Sequence, residues 1–211
     1  MQTNLVRVLT RDEILQVVTS LQSSSLKSSP TNLMIFRLSC QCGLRRKEIA
    51  GLNIADVITT GPRPTITVRA ETTKSDARGK RHRRQIPLWW DASTREAIHD
   101  WKLFRLQTAD SRQPFICLGK RDHAGRRFNP KGLAKRWKTA IKTLGEDRTC
   151  QLSIHTGRRS YVSHCLTVGR SLAEVAAAVG HTNIGTTNQY THLIESGNVP
   201  DIWNFVSQIT E

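Results

Sequence analysis

The chain has 211 residues and is strongly basic, with 32 Lys plus Arg against 17 Asp plus Glu and a formal charge of +15. This length suits one sizeable hydrophobic core, so we expect one compact domain over residues 1–211. Such a charge is atypical of a metabolic enzyme and favours a polyanionic partner, nucleic acid first. No apolar run approaches the roughly 20 residues that span a bilayer, so we expect no membrane association and a cytoplasmic, nucleoid-associated protein.

Helical periodicity dominates the first fifty residues. Thr10 and Glu13 form a capping-box pattern ahead of apolar residues at helical spacing, which predicts a first helix. A polar loop, SSSLKSSPT, precedes LMIFRLSCQC, which is typical of a buried helix ended by Gly43. A short helix predicted over LRRKEIAGL follows at once, so Arg45 lies at a tight junction between two helices.

The middle of the chain changes to the period of two that is typical of strands. TITVRA and RRQIPL predict two strands joined by a polar hairpin, with Gly79 near its turn. Asp91 is the predicted N-cap of one helix, and Asn129 followed by Pro130 opens another. The predicted fold class is α+β, mainly α: a helical bundle with a small antiparallel β-sheet or hairpin.

The last third returns to helical spacing. A helix is predicted around HTGRRSYVSHCLTVG, and Ser171 with Glu174 forms a second capping box ahead of LAEVAAAVG. Gly180 is the predicted end of that helix, immediately before His181. The final segment predicts one more helix, whose apolar face carries Ile202, Phe205, Val206 and Ile209.

The five cysteines are an odd number and are scattered as Cys40, Cys42, Cys117, Cys150 and Cys165. The first two are too close together, and too far from a partner motif, to match a zinc spacing. We therefore expect buried thiols, no metal ion and no cofactor.

The candidate catalytic residues occur along the chain in this order: Arg45, Lys74, His155, Arg158, His181 and Tyr190. Each is ordinary by itself, because solvated charges are common in a basic protein. In the order GLRRKEIAGL, a hairpin lysine, HxxR and GHxxxxTTxxYxH, the series resembles the catalytic domain of the tyrosine recombinases, or phage-type integrases. The resemblance runs from LTRDE to the last helix and is most specific between Gly180 and His192.

The resemblance implies cleavage of DNA by a tyrosine nucleophile, and Tyr190 matches it. Arg45 and Arg158 match the two arginines that clamp the scissile phosphate. Paired guanidinium hydrogen bonds suit the charge that develops on the non-bridging oxygens, and lysines cannot reproduce them.

The remaining roles concern protons. His155 would accept the phenolic proton, and Lys74 would protonate the leaving 5′ oxygen. His181 would add a neutral hydrogen bond to a phosphoryl oxygen. Because arginines supply the positive charge and one phosphate ester replaces another, the resemblance implies neither metal nor ATP.

One position departs from the family pattern. The residue before the second arginine is usually apolar, such as leucine, and here it is Gly157. This glycine predicts a looser helix or a small gap beneath Arg158.

Further basic residues are expected to grip the phosphates of double-stranded DNA and to make binding steeply salt-dependent. They lie on the hairpin and on one predicted helix: Arg78, Lys80, Arg81, Arg83, Arg84, Lys131, Lys135, Arg136 and Lys138.

The resemblance also implies an assembly, a homotetramer on DNA in which C-terminal helices are exchanged. Packing of that helix within its own domain is equally open. Family members usually carry an N-terminal helical domain that closes around DNA, whereas this chain begins at the catalytic domain. It is either a fragment or similar to short recombinases that lack that domain, and we expect weak, salt-sensitive binding by this chain alone.

The leading interpretation is a DNA strand-transferase, a site-specific recombinase or integrase. One alternative is a type IB topoisomerase, which uses the same chemistry but lets one strand swivel. Another is a DNA-binding regulator that kept the fold and lost the reaction, although all six catalytic residues are present.

Overall fold

The computed structural model describes residues 8–76, 78–117 and 125–181. Its helices are α1 (Arg11–Gln22), α2 (Ser29–Cys40), α3 (Arg46–Gly51), α4 (Ala92–Leu106), α5 (Pro130–Ala140), α6 (Glu146–Gln151), α7 (Ile154–Thr167) and α8 (Leu172–Val179). Its strands are β1 (Val57–Ile58), β2 (Thr65–Val68) and β3 (Arg84–Pro87). None of these helices is both long and apolar enough to cross a bilayer. The predicted mainly α, α+β fold is confirmed, while Tyr190 and the predicted C-terminal helix lie outside the described residues.

Helix α2 lies at the centre of the molecule and packs against α1, α5 and α7. It is buried along nearly its whole length, as the run LMIFRLSC predicts. It begins earlier than predicted, at Ser29, because Pro30 falls in the first turn, where its missing N–H costs no intrahelical bond. The polar stretch before Leu33 is therefore partly helix and not only loop.

The sheet has three antiparallel strands in the order β1-β2-β3. Ile66 of β2 pairs with Val57 on one side and with Ile86 on the other, and β2 is buried throughout. The two predicted strands are thus confirmed. The two-residue strand β1 was not predicted, because it is too short to carry an alternating pattern.

Side-chain caps begin the helices where the sequence predicts them. Asp91 Oδ1 accepts hydrogen bonds from the backbone N–H groups of Ser93 (3.1 Å) and Thr94 (3.4 Å), and α4 follows. Asn129 Oδ1 accepts from Gly132 N–H at 2.7 Å, and α5 begins at the next residue, a proline. The capping boxes at the starts of α1 and α8 are confirmed as well. The short helix α6 was not predicted.

Helix α7 approaches α2 closely at Gly157. A Cβ added there would lie 2.6 Å from Ser39 Oγ and 2.8 Å from Cys40 Sγ, distances that real Cβ atoms do not show. Ser39 Oγ is itself held, since it accepts a hydrogen bond from Trp137 Nε1 at 2.7 Å. The predicted gap beneath Arg158 is therefore wrong: glycine stands there because the two helices touch.

The cysteines are all free, and three of them are buried as expected: Cys40, Cys42 and Cys165. Cys150 is exposed and Cys117 is half-buried, so the expectation of buried thiols fails for these two.

Candidate active site

Four segments of the chain meet at one surface: the start of α3, the hairpin between β2 and β3, the start of α7 and the end of α8. Two adjoining clefts open there, and Arg45 and His181 line both of them. Lys74 lines the first cleft, while His155 and Arg158 line the second. The structure thus brings five predicted catalytic residues together, and Tyr190, the sixth, lies outside the described residues.

A buried carboxylate, Glu48, lies beneath these residues. Arg84 binds it through two parallel hydrogen bonds of 2.8 and 2.7 Å. Arg45 donates from Nη1 to Oε1 at 2.9 Å and from its backbone N–H to Oε2 at 2.7 Å. Arg158 Nη1 lies 3.8 Å from Oε2. We refer to Glu48 with Arg45, Arg84 and Arg158 as the arginine cluster.

The pKa of Glu48 reports the balance of forces in the arginine cluster. Burial alone would raise this pKa, but the hydrogen bonds and charge of Arg84, followed by the charges of Arg158 and Arg45, lower it to about 2. The carboxylate is therefore ionised at any physiological pH. It compensates the repulsion of three neighbouring guanidinium groups and so permits them to lie close together.

Arg45 occupies its position because of the local backbone. It is the N-cap residue of α3, with extended φ and ψ angles of −74° and 155°, so its side chain leaves the helix start toward the cleft. Glu48 is the third residue of the same helix, and its side chain returns to the backbone N–H of Arg45. This capping arrangement fixes both residues relative to each other.

Arg158 is fixed by backbone carbonyl groups of two other segments. Its Nη1 donates to Gly43 O at 2.7 Å, and its Nη2 donates to Val179 O. Its side chain is only 8% exposed. The position of this guanidinium is thus determined before any ligand arrives.

The end of α8 is capped by residues of the site. Its last four carbonyl groups, residues 176–179, have no partner within an ideal helix. Two accept backbone hydrogen bonds, from His181 (3.0 Å) and Gly180 (3.1 Å). The other two accept from the side chains of Arg84 (2.9 Å) and Arg158. Gly180 has a left-handed φ of 67°, which ends the helix as predicted and turns the chain into His181.

Both histidines are held in the neutral form. Burial, followed by the positive charges of Arg158, Arg45 and Arg84, lowers the pKa of His181 to about 4. His155 lies on the exposed first turn of α7, and partial desolvation with nearby arginines, Arg46 first, lowers its pKa as well. A neutral imidazole can accept a proton, so His155 is competent for the role that the sequence assigns to it.

The hairpin presents Lys74 on an exposed loop, and one carboxylate organises that loop. Asp76 Oδ1 accepts from the backbone N–H groups of Arg78 and Lys80, both at 2.9 Å. Asp76 Oδ2 lies 2.9 Å from His82 Nε2. The hydrogen bonds to His82 and to the backbone lower the pKa of Asp76, so it acts as an ionised acceptor.

The chain has only two tyrosines, Tyr161 and Tyr190. Tyr161 is 1% exposed, and its ring stacks on Trp90 with centroids 6.4 Å apart. Burial raises the pKa of Tyr161 well above its ordinary value of 10, so its hydroxyl is neither accessible nor easily ionised. Tyr161 therefore cannot serve as a nucleophile toward DNA.

The basic residues proposed as DNA contacts are not equivalent. Arg78, Lys80, Arg81, Arg83, Lys131 and Lys135 are exposed, and Arg136 and Lys138 are half-buried. Lys138 donates to the backbone carbonyl of Thr149. Arg84 differs from all of these, because its guanidinium belongs to the arginine cluster.

Sequence reasoning missed Glu48 and Asp76. The place of Glu48 three residues after an N-cap was a usable signal, because that spacing predicts a carboxylate folded back onto the helix start. Asp76, near a glycine turn, had the weaker signal of a turn-forming residue.

No group of three or more His, Cys, Asp or Glu side chains among residues 8–76, 78–117 and 125–181 is placed to hold a metal ion. The expectation of a metal-independent reaction stays a prediction.

A mainly helical domain with two arginines, two histidines and a lysine at two adjoining clefts has the arrangement of a tyrosine recombinase catalytic domain. The model of the phage integrase family matches residues 7–196, and the chain belongs to this family. The family resemblance inferred from the motifs is thereby confirmed.

Curated relatives carry the name tyrosine recombinase XerC. The protein from Pseudomonas entomophila is 32% identical over 161 residues, which cover 75% of this chain and 47% of the relative. The protein from Alcanivorax borkumensis is 27% identical over 192 residues, covering 90% of this chain and 56% of the relative. The chain therefore spans about half the length of the curated relatives it matches.

Solved structures of the same fold include the XerA recombinase, with a TM-score of 0.72 and 18% identity over 100% of this chain and 66% of that one. The XerH site-specific recombinase bound to its difH substrate has a TM-score of 0.64 and 21% identity, over 91% of this chain and 52% of that one. The catalytic domain of bacteriophage HP1 integrase has a TM-score of 0.54 and 18% identity, over 90% and 89%. These similarities establish the fold.

Proposed function

We propose that this protein is a site-specific DNA recombinase that cleaves and rejoins DNA strands through a 3′-phosphotyrosyl intermediate, without metal or ATP. The observation that carries the proposal is the convergence of Arg45, Lys74, His155, Arg158 and His181 on adjoining clefts. The names of the XerC relatives and the bound difH substrate of XerH agree with it.

The arginine cluster would bind the scissile phosphate. A phosphodiester carries one negative charge, and attack on phosphorus moves more charge onto the non-bridging oxygens. Arg45 and Arg158 reach the cleft from different helices, so they can hold these oxygens from two sides. Because Glu48 holds the guanidinium of Arg45, and two backbone carbonyls hold that of Arg158, little reorganisation is needed when that charge develops.

Tyr190 would be the nucleophile, with His155 as its base. The phenolic oxygen attacks phosphorus and forms a bond to it, while the phosphate stays attached to the 3′ oxygen of the DNA. The phenolic proton passes to the neutral imidazole of His155. A phenol of pKa about 10 needs such an acceptor and a positive surrounding to react at neutral pH. Tyr161 offers no alternative, because it is buried.

Lys74 would protonate the leaving group. The bond from phosphorus to the 5′ oxygen breaks, and that oxygen takes a proton from the ammonium group. The lysine lines the cleft that also contains Arg45 and His181, and His155 lines the adjoining cleft. Acid and base thus approach the phosphate from different sides, as an in-line displacement requires.

The rejoining step would reverse these bonds with the 5′ hydroxyl of another strand. The new hydroxyl attacks phosphorus, Tyr190 leaves, and the protons return to the phenol and to the lysine. One phosphate ester replaces another, so the exchange requires no energy source.

The assembly that we propose is a homotetramer on double-stranded DNA, joined by exchange of the C-terminal helices. Ile202, Phe205, Val206 and Ile209 would form the docked face of each helix. Sizing of the protein on synapsed DNA tests this: four protomers support exchange, and a complex that contains only monomers contradicts it.

The experiment that tests the chemistry uses nicked suicide duplexes tiled across the DNA that flanks this gene. Wild-type protein, Tyr190→Phe and Tyr161→Phe are incubated with each duplex and run on a denaturing gel. We expect a protein–DNA adduct with the wild type and with Tyr161→Phe, and none with Tyr190→Phe.

Other results would favour the alternatives. An adduct on every duplex, with relaxation of any supercoiled plasmid, would indicate a topoisomerase of the IB type. Binding without an adduct, also after an N-terminal DNA-clamping domain is supplied, would contradict the proposal and favour a regulator that lost the reaction.

A further inference from the structure

Arg84 stands in a run of basic residues, RHRR, yet its surroundings differ from those of its neighbours. Residues 81–83 are exposed, whereas the side chain of Arg84 is 8% exposed. The strand period explains the difference. Arg84 lies two residues before Ile86 in β3, so both side chains point to the buried face of the sheet, while Gln85 between them and Arg83 just before the strand are exposed.

The guanidinium of Arg84 joins three elements of the fold. Its two Nη atoms bind Glu48 in α3 at 2.8 and 2.7 Å. Its Nε donates to Ala178 O at the end of α8 at 2.9 Å. Since Arg84 itself begins β3, one side chain links the strand that follows the hairpin to α3, which begins after Arg45, and to α8, which ends at Val179.

The fit at the end of α8 is close. A Cβ added to Gly180 would lie 2.8 Å from Arg84 Cδ and 3.2 Å from its Nε. The glycine at the cap of α8 therefore allows the backbone to pass directly over the Arg84 side chain. His181, the next residue, donates its backbone N–H to Ala176 O at 3.0 Å in the same cap.

Arg84 also shapes the charges of the site. Its hydrogen bonds and charge are the foremost causes that lower the pKa of Glu48 against the effect of burial. After burial, Arg158 and Arg45, its charge contributes to the low pKa of His181. Loss of the charge is expected to raise both pKa values.

We propose that Arg84 is a positioning residue of the active site and not a DNA contact: it holds Glu48 and the end of α8 so that Arg45 and His181 meet the same phosphate. This inference rests on the proposed function, in which the cleft binds the scissile phosphate. It differs from the expectation, based on the basic run alone, that Arg84 grips the DNA backbone.

The test compares three variants on the suicide duplex that the wild type cleaves. Arg84→Gln removes the charge, Arg84→Lys keeps a charge but cannot make the forked contact with Glu48, and Arg83→Gln is the matched control on the exposed face. DNA affinity is measured at several salt concentrations, and adduct formation is measured at saturating DNA. The imidazole of His181 is titrated by NMR in the absence of DNA.

For Arg84→Gln, we expect the salt dependence of binding to stay as in the wild type, and adduct formation to fall on the order of 10²-fold. Adduct formation by Arg84→Lys should lie between that of the wild type and that of Arg84→Gln. The pKa of His181 should rise in Arg84→Gln and rise less in Arg84→Lys. Arg83→Gln should make the slope of log K against log[salt] shallower by about one, the signature of one lost phosphate contact.

The inference is overturned if Arg84→Gln makes the salt slope shallower by about one and forms the adduct at the wild-type rate when DNA is saturating. It is also overturned if the pKa of His181 is unchanged in both Arg84 variants. If Arg84→Gln does not fold, Arg84→Lys decides by the same measurements. The NMR titration needs no cleavage. Failure of the wild type to form an adduct would therefore contradict the proposed function, while the titration would still test the role of Arg84.

Discussion

The arginine cluster and the β2–β3 hairpin both serve the same clefts, but they are built in opposite ways. The arginine cluster is buried except for the half-buried Arg45, joins α3, β3, α7 and α8, and is held by a carboxylate that is fully enclosed. The hairpin is exposed, and the loop around Lys74 is organised by one local carboxylate, Asp76.

This difference matches two different chemical tasks. Stabilising charge in a transition state requires dipoles and charges that do not reorganise, and a buried network supplies them. Delivering a proton to a leaving group requires one donor at one place, which an exposed loop can present once DNA is bound. The protein thus separates a rigid phosphate site from an acid on a loop.

Among variants of these two regions, Lys74→Ala should have the largest effect on catalysis. Loss of the general acid is expected to reduce adduct formation on the order of 10² to 10⁴-fold. A duplex with sulfur in place of the bridging 5′ oxygen is the matched control, because a thiolate leaves without protonation. The variant should cleave the sulfur duplex at nearly the wild-type rate. An equal defect on both duplexes would remove the acid role from Lys74.

Glu48→Gln should have the largest effect on stability, because it leaves three arginines without their shared anion. We expect the free energy of unfolding at pH 7 to fall by about 3–5 kcal/mol, measured with urea. Glu71→Gln is the matched control, since this exposed carboxylate lies 3.0 Å from Arg69 Nη1. The control should stay within about 0.5 kcal/mol of the wild type.

The unfolding free energy of Glu48→Gln should also depend differently on pH. The pKa of Glu48 in the folded protein, about 2, lies below its ordinary value of 4.5. Its carboxylate therefore contributes stability that is fully present above about pH 4.5 and is lost as the pH falls toward 2. Over this window the unfolding free energy should fall less steeply in Glu48→Gln than in the wild type. Identical slopes would mean that Glu48 is not strongly coupled to the arginines.

Gly157→Ala should have a smaller effect, by pushing apart α7 and α2. The added Cβ meets Ser39 and Cys40 at 2.6 and 2.8 Å, and we expect a loss of about 1–3 kcal/mol in unfolding free energy. Gly132→Ala in α5 is the matched control, because its nearest neighbour would be Asn129 Oδ1 at 3.3 Å. It should stay within about 1 kcal/mol of the wild type. Equal effects in urea denaturation would show that close packing is not the reason for Gly157.

Asp76→Ala should have the smallest effect. It removes the acceptor of the backbone N–H groups of Arg78 and Lys80 and the partner of His82, so the hairpin lysine is placed less accurately. We expect adduct formation at saturating DNA to slow by about tenfold, less than the ~10²-fold cost of a displacement of one ångström. The urea midpoint should not change, and Glu71→Gln on the same hairpin should cleave normally. A large loss of stability would contradict the contrast between the two regions.

Local signals in the sequence predicted much of this molecule. The capping residues placed the starts of α1, α4, α5 and α8, and Gly180 placed the end of α8. Arg45 was placed at the start of a helix by the residues beside it. These predictions succeeded because caps and turns depend on contacts within a few residues.

Long-range contacts were not predicted. The role of Glu48 depends on Arg84 and Arg158, which approach it only in the folded chain. The effect of Gly157 depends on α2, and without that neighbour a glycine in a helix indicates looseness. For Arg84 the signal was local: the period of β3 places its side chain on the same face as the buried Ile86, whereas the basic run was interpreted by its composition.

The central claim is that the DNA strand becomes linked to Tyr190. The most direct measurement isolates the adduct formed on the suicide duplex, digests the protein and the DNA, and locates the remaining 3′-phosphonucleotide by mass spectrometry. We predict that this nucleotide is attached to Tyr190. A nucleotide attached to any other residue would contradict the proposed mechanism.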